Sequence, residues 1–277
     1  MTDLVAHLGS LSNAVHGFVY FADEAEEQYS ALGLTGNQQY FASRGAAFGP
    51  VGPAIVTATF FNFNPARVEA ALPACWEVAS ANKIQQARMR AASNVLQQAC
   101  PGVNAAMIAE ATSLAQAMVD SVGDEGRALA AANRAVALPD DVWAALWQLI
   151  TVIREWRGDA HVAALTAAPV TAVEALVLHA ATGQVPRVAL QSTRGWSDEA
   201  WAAAVDLLRQ RGLVNAAGEF TDDGRSFRDA IEDQTNRASQ PLVDGLGSER
   251  TERLCALLRP IRTALIEAGA FARLLGT

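Results

Sequence analysis

The chain has 277 residues, 51% of them apolar and 18% charged. It can therefore bury a full core without disulfides or metal, and it is not intrinsically disordered. Twenty-one basic residues against 29 acidic leave a net charge of −8, which disfavours non-specific binding to nucleic acid or to an anionic membrane.

In chain order, residues 3–32 read as helix, with Val5, Leu8, Leu11, Val15 and Phe18 at helical spacing and Leu32-Gly33 as a stop. Thr35 is placed to cap a second helix through Phe41 and Arg44, before Gly45, Gly49, Pro50, Gly52 and Pro53 break regularity. The run AIVTATFF at 54–61 fits a strand or a buried helix equally. Asn64-Pro65 opens a helix, as N-cap and first helical residue, that runs over 65–98 with a kink or division at Pro73.

Helices are expected at 104–121 and 124–136. Another opens at Pro139-Asp140, carries Val142, Leu146, Leu149, Ile150 and Ile153, and breaks at Arg157-Gly158. HVAAL at 161–165 and TAVEALVLHAATG at 171–183 make two more. Then come a short helix at 185–196, a helix capped by Ser197, a hairpin at 213–221, and a helix capped by Thr221. The last helix spans about 248–274. Its stripe of Leu254, Leu257, Leu258, Ile261, Leu265 and Ile266 is interrupted by Pro260.

Helix, helix, helix, hairpin, helix is the order of a winged helix-turn-helix. Gly212-Leu213-Val214, Phe220-Thr221 and Gly224 resemble the corresponding stretch of MarR-type regulators, over roughly 171–238. The segments YFASRGAAFG (40–49), REWRGDAHVAAL (154–165) and RGWSDEAW (194–201) resemble an actinobacterial helix-turn-helix family, which implies architecture and no activity. The expected fold is mainly α: a helical domain, 1–168, packed on a winged helix-turn-helix domain, 169–277, with a small β-hairpin wing and the C-terminal helix. The MarR resemblance also implies a homodimer through terminal helices, although an apolar stripe is more often core.

As a DNA reader, the winged unit would use Arg187, Arg194, Ser197, Trp201 and Arg209. Against this, Asp198 and Glu199 sit at the start of the recognition helix. Across 187–238 seven arginines face nine acids, so the usual basic footprint is missing.

The densest polar cluster is Arg154, Glu155, Arg157, Asp159 and His161 beside Trp156. Arginine would hold a carboxylate or phosphate, and His161, oriented by Asp159, would move a proton. The plainer reading is salt bridges and a helix cap. Tyr40 and Arg44 share a helix face, and Arg44 needs an acidic partner, Asp159 or a ligand anion. Phe60 and Trp196 are core aromatics or walls of a pocket. These eight residues, Tyr40, Arg44, Phe60, Arg154, Arg157, Asp159, His161 and Trp196, form the candidate ligand site.

The favoured function is small-molecule binding between the two halves. The alternatives are a MarR-like ligand-responsive DNA-binding regulator and a cofactor-free enzyme using Arg, Asp and His. No cofactor and no catalytic residue is identified. The four histidines and three separated cysteines have no metal-binding spacing. The first fifteen residues lack a basic run before an apolar one, so no secretory signal is expected. The longest apolar run, 142–153, suits a buried helix rather than a membrane span. A cytoplasmic location is expected.

Overall fold

A computed structural model describes residues 4–271. Among the described residues the chain is built from α-helices and short 3₁₀ turns, with no strand. The final helix's expected last residues, 272–274, lie outside the described residues.

The first segment divides early. α1 (Leu4–Gly17) buries Val5, Leu8, Leu11 and Val15, and α2 (Asp23–Ala31) follows a 3₁₀ turn at Phe18–Tyr20. α3 (Asn37–Gly45) starts from Gly36, not from a Thr35 cap. Gly36 has φ 51°, a backbone glycine adopts without strain. The ambiguous run after Pro53 is helix, α4 (Pro53–Phe60). Residues 65–98 form three helices: α5 (Pro65–Glu69), capped by Asn64, α6 (Cys75–Val78), and α7 (Ala81–Ala99), capped by Ser80. α8 (Ala105–Asp120) is capped by Asn104, and α9 (Ala128–Arg134) is short.

α10 (Val142–Ala167) is the central element, capped by Asp141, whose Oδ1 accepts from Ala144 N at 2.8 Å. Every residue from Ala144 to Ile153 is buried, as expected of a helix apolar on all sides. It packs on α1, α7, α8 and α9. The expected break at Gly158 does not occur. A Cβ there would lie 3.2 Å from Glu155 Oε2. This glycine leaves room for an ion pair one turn back. HVAAL is thus the end of α10 and no separate helix.

α11 (Ala172–Ala181) opens with a capping box in which Thr171 and Glu174 exchange hydrogen bonds. α12 (Arg187–Arg194) ends at Gly195, φ 77°. α13 (Asp198–Gln210) is capped by Ser197 and α14 (Asp222–Leu246) by Thr221, both as the sequence predicts. α15 (Ser248–Glu267) closes the described chain and contains Pro260.

The β-hairpin wing is not formed. Residues 213–221 make one isolated bridge, Val214 to Phe220. Asn215 is the physical reason. Its Oδ1 accepts from the N–H groups of Ala217 and Glu219, closing the turn within itself. Arms of two or three residues cannot extend a ladder that is marginal alone.

Two apolar clusters result. One gathers residues from Val5 to Trp156 together with Leu242, Val243, Leu246 and the α15 stripe. The other gathers Ala164 to Ile231, from the end of α10 to the first half of α14. Leu254, Leu257, Leu258, Ile261 and Leu265 are spent in the first core, and Ile266 is exposed. No single helix among the described residues is long and apolar enough to cross a membrane.

Candidate functional site

The polar centre of the helical body starts from α1. His16 is fully buried. Its Nδ1 lies 2.9 Å from Thr151 Oγ1 and its Nε2 lies 2.9 Å from the Tyr20 hydroxyl. The Thr151 hydroxyl donates to the Trp147 carbonyl at 2.9 Å, so its oxygen is left to accept. The imidazole therefore carries its proton on Nδ1, and Nε2 accepts from Tyr20. Burial, with Arg154 nearby, holds His16 well below its ordinary pKa, in keeping with this neutral tautomer. Tyr20 in turn accepts from Arg88 Nη2 at 2.8 Å.

Arg88 is also fully buried, stacked 5.0 Å from the Trp147 ring centroid. Its Nε and Nη1 have no hydrogen-bond partner. Glu155, on α10, is 1% exposed. It accepts from Arg154 Nη1 at 2.6 Å and from Arg44 Nε and Nη2 at 3.4 and 3.2 Å. Burial alone would raise its carboxyl. Arg154 and Arg44 outweigh that and hold it well below the usual carboxylate range.

Arg44 also donates to the Tyr40 hydroxyl at 3.3 Å and lies 4.0 Å over the Phe60 ring. Tyr40, Phe41, Phe60 and Phe63 pack as a continuous aromatic group. Arg194 reaches the same group from α12, with its guanidinium 5.1 Å over Phe63. Its Nε is buried without a partner. Burial lowers its pKa, and the nearby Arg44 and Arg154 charges add to that.

The loop at 61–67 clamps this end of α12. Asn64 N donates to Arg194 O at 3.0 Å and Asn64 Nδ2 to Gly195 O at 2.9 Å. Trp196 Nε1 donates to Asn62 O at 2.9 Å, and Arg67 Nη1 to Ser192 O at 2.9 Å. Phe61 has φ 60° and ψ −57°, and Asn62 N bonds Phe60 O at 2.7 Å. This is a γ-turn of the rare, strained kind. It lies where the body meets the α11–α13 unit.

The candidate residues from sequence thus divide. Tyr40, Arg44, Phe60 and Arg154 come together around Glu155, and Trp196 docks on the adjoining loop. Arg157, Asp159 and His161 do not join them: the unbroken α10 keeps Arg157 and His161 on the Arg154 side but about 4.5 and 10.5 Å further along the axis, and turns Asp159 about 140° away. Arg157 Nη2 binds Glu232 Oε2 at 2.9 Å and Asn236 Oδ1 at 3.0 Å on α14. His161 Nδ1 meets Thr235 Oγ1 at 3.0 Å. Burial pushes its imidazole down to about 4. Asp159 caps α9, accepting from Leu129 N and Ala130 N at 3.0 Å each. It does not orient His161 or partner Arg44. Burial raises its carboxyl to about 6 against those two donors.

The DNA-facing candidates divide too. Arg187 pairs with Asp198 at 2.7 Å and Arg209 with Asp206 at 3.0 Å. Trp201 is 3% exposed and sits in the second core. Arg194 points into the seam. Ser197 stays at its cap, followed by exposed Asp198 and Glu199. Sequence reasoning missed the roles of His16, Tyr20 and Arg88 and the pairing of Glu155 with Arg44. The i, i+4 spacing of His16 and Tyr20 is the signal that could have found the first two.

A family model described as a helix-turn-helix family matches residues 5–272. The chain belongs to this helix-turn-helix family. No curated protein and no solved structure matches it. In this helix-turn-helix protein the turn between α12 and α13, Gly195 to Ser197, is held by the body through Asn64 and Asn62. No cluster of three or more His, Cys, Asp or Glu suited to a metal occurs among the described residues.

Proposed function

We propose that this helix-turn-helix protein holds a small anionic molecule between its helical body, 1–168, and the helix-turn-helix unit that begins at 169. One observation carries the reading. Arg194 turns its guanidinium over the Phe63 ring, towards the part of the body where Arg44 and Arg154 bind Glu155, and its Nε is buried without a partner. Arginine is the residue best suited to carboxylate and phosphate oxygens. An aromatic wall of Tyr40, Phe60 and Phe63 lowers the local dielectric and strengthens each such contact. The ligand residues are Tyr40, Arg44, Phe60, Arg154 and Arg194, with Trp196 fixing the loop beside them.

Native mass spectrometry of the purified protein, before and after denaturation, tests this. The expected result is a small acidic molecule released on unfolding, or saturable stabilisation by members of a panel of organic acids and phosphates. A ligand-free protein that no member stabilises overturns the reading.

Family membership favours a second reading, a DNA-binding regulator; its finer form is a MarR-like dimer whose α13 meets DNA. The paired arginines and the acidic start of α13 weigh against strong phosphate contact. The enzyme reading has less support, because Asp159 and His161 face different neighbours. Three buried free cysteines fit a cytoplasmic setting.

A further inference from the structure

We infer that the seam takes a doubly charged oxyanion, a phosphoryl group or a pair of carboxylates, held by Arg44, Arg154 and Arg194 with the Tyr40 hydroxyl. This rests on the seam reading and narrows it to one class of ligand.

The charge inventory supports the class. Arg44, Arg154 and Arg194 share the seam with one carboxylate, Glu155. Three positive charges against one leave a surplus of at least two, to which Arg67 beside Arg194 and Arg88 behind the seam add. A guanidinium keeps its proton in a protein, so it cannot relieve the surplus by neutralising. An uncompensated buried charge is costly, and a partner anion is what offsets it. A monoanion leaves at least half the surplus. A cation or a neutral molecule leaves all of it.

The donors point the same way. Glu155 already takes Arg154 Nη1 and two nitrogens of Arg44, while Arg194 makes one local bond, from Nη1 to Thr193 Oγ1 at 2.7 Å. Its Nε remains buried and unfilled. Behind the seam, Arg88 carries two more unfilled N–H groups and meets only the Tyr20 hydroxyl and aromatic faces. The whole polar centre is thus rich in donors and poor in acceptors. An oxyanion supplies acceptors and charge together.

Titration at constant ionic strength tests this, using inorganic phosphate and succinate against acetate, with calorimetry and thermal melting as readouts. Arg194→Gln removes the seam charge. Arg157→Gln is the control, since that arginine serves the α10–α14 contact. Phosphate, succinate or both should bind at least tenfold more tightly than acetate. Arg194→Gln should weaken that binding at least tenfold, while Arg157→Gln leaves it within twofold. Equal affinity for acetate and the dianions, with sensitivity to Arg194 retained, overturns the doubly charged class and spares the seam. Dianion binding indifferent to Arg194→Gln overturns the seam as well. No binding of either dianion by a protein that still releases a neutral or singly charged molecule on denaturation overturns the class alone. Should Arg194→Gln fail to fold, Arg194→Lys keeps the charge and loses the fork. It should then bind phosphate more weakly than the wild type, and equal binding overturns the assignment.

Discussion

Arg44 on α3 holds Glu155 on α10 through two nitrogens, Nε at 3.4 Å and Nη2 at 3.2 Å, across 111 residues of chain. Glu155 is 1% exposed, and Arg154 binds the same carboxylate. This pair ties the early helices to the central helix and sets the charge at the seam. Glu155→Gln keeps the shape and removes the charge. It leaves two arginines uncompensated, so a loss of about 3–5 kcal/mol in unfolding free energy is expected. Urea denaturation measures it, and the Arg157→Gln variant should lose far less.

The buried histidines should destabilise the protein as pH falls through their unfolded range. His161 has a folded pKa of about 4 because of burial, against about 6.5 when unfolded. His16 is lowered in the same direction. Between those values the unfolded chain binds more protons, so stability is full above pH 6.5 and falls as pH drops towards 4. Asp159, raised to about 6, works with the opposite sign over about 6 to 4. The His161→Gln variant should lose about 1–2 kcal/mol less than the wild type between pH 7 and pH 5. Equal slopes for the two proteins would contradict this.

Gly224 follows Thr221 in a Thr-x-x-Gly pattern for a packing reason. A Cβ there would stand 1.8 Å from the Leu213 carbonyl oxygen. The turn at 213–221 packs directly on the first turn of α14, where Thr221 Oγ1 caps Gly224 N at 3.0 Å. Gly224→Ala should cost roughly 2–4 kcal/mol. Gly102→Ala, where nothing lies within 4 Å, should be close to neutral. Thermal melts of the two variants make the comparison.

DNA affinity should be weak and without strong sequence choice. Asp198 and Glu199 open α13, and Arg187 and Arg209 are paired to acids on their own surface. Reversing the two acids with Asp198→Lys and Glu199→Lys should raise affinity for a random duplex and steepen its salt dependence. A nanomolar wild-type complex on a selected duplex at physiological salt would contradict this expectation.

The sequence was legible where local chemistry decides. Asn64, Ser197 and Thr221 cap the helices they were expected to cap, because a side-chain oxygen and a backbone N–H two or three residues on suffice. It was not legible where tertiary context decides. Gly158 reads as a break, yet burial holds α10 together through it. On that continuous helix Arg157 and His161 reach α14 and Asp159 reaches α9, while Arg154 reaches Glu155. The wing failed for a local reason that was overlooked, the Asn215 side chain closing its own turn. At the site, Tyr40 and Arg44 were evident from their spacing. Glu155 was hidden because its partner lies 111 residues away. Arg194 was assigned to DNA because only the fold shows that it turns inward.

Hydrogen exchange with and without millimolar phosphate or succinate tests the seam most directly. A ligand between the two halves should slow exchange together in α3 around Tyr40 and Arg44, in the 60–64 loop, and at 190–196. These segments are far apart in sequence and meet only at the seam. Protection confined to one half, or absent from the 190–196 segment, would contradict the account.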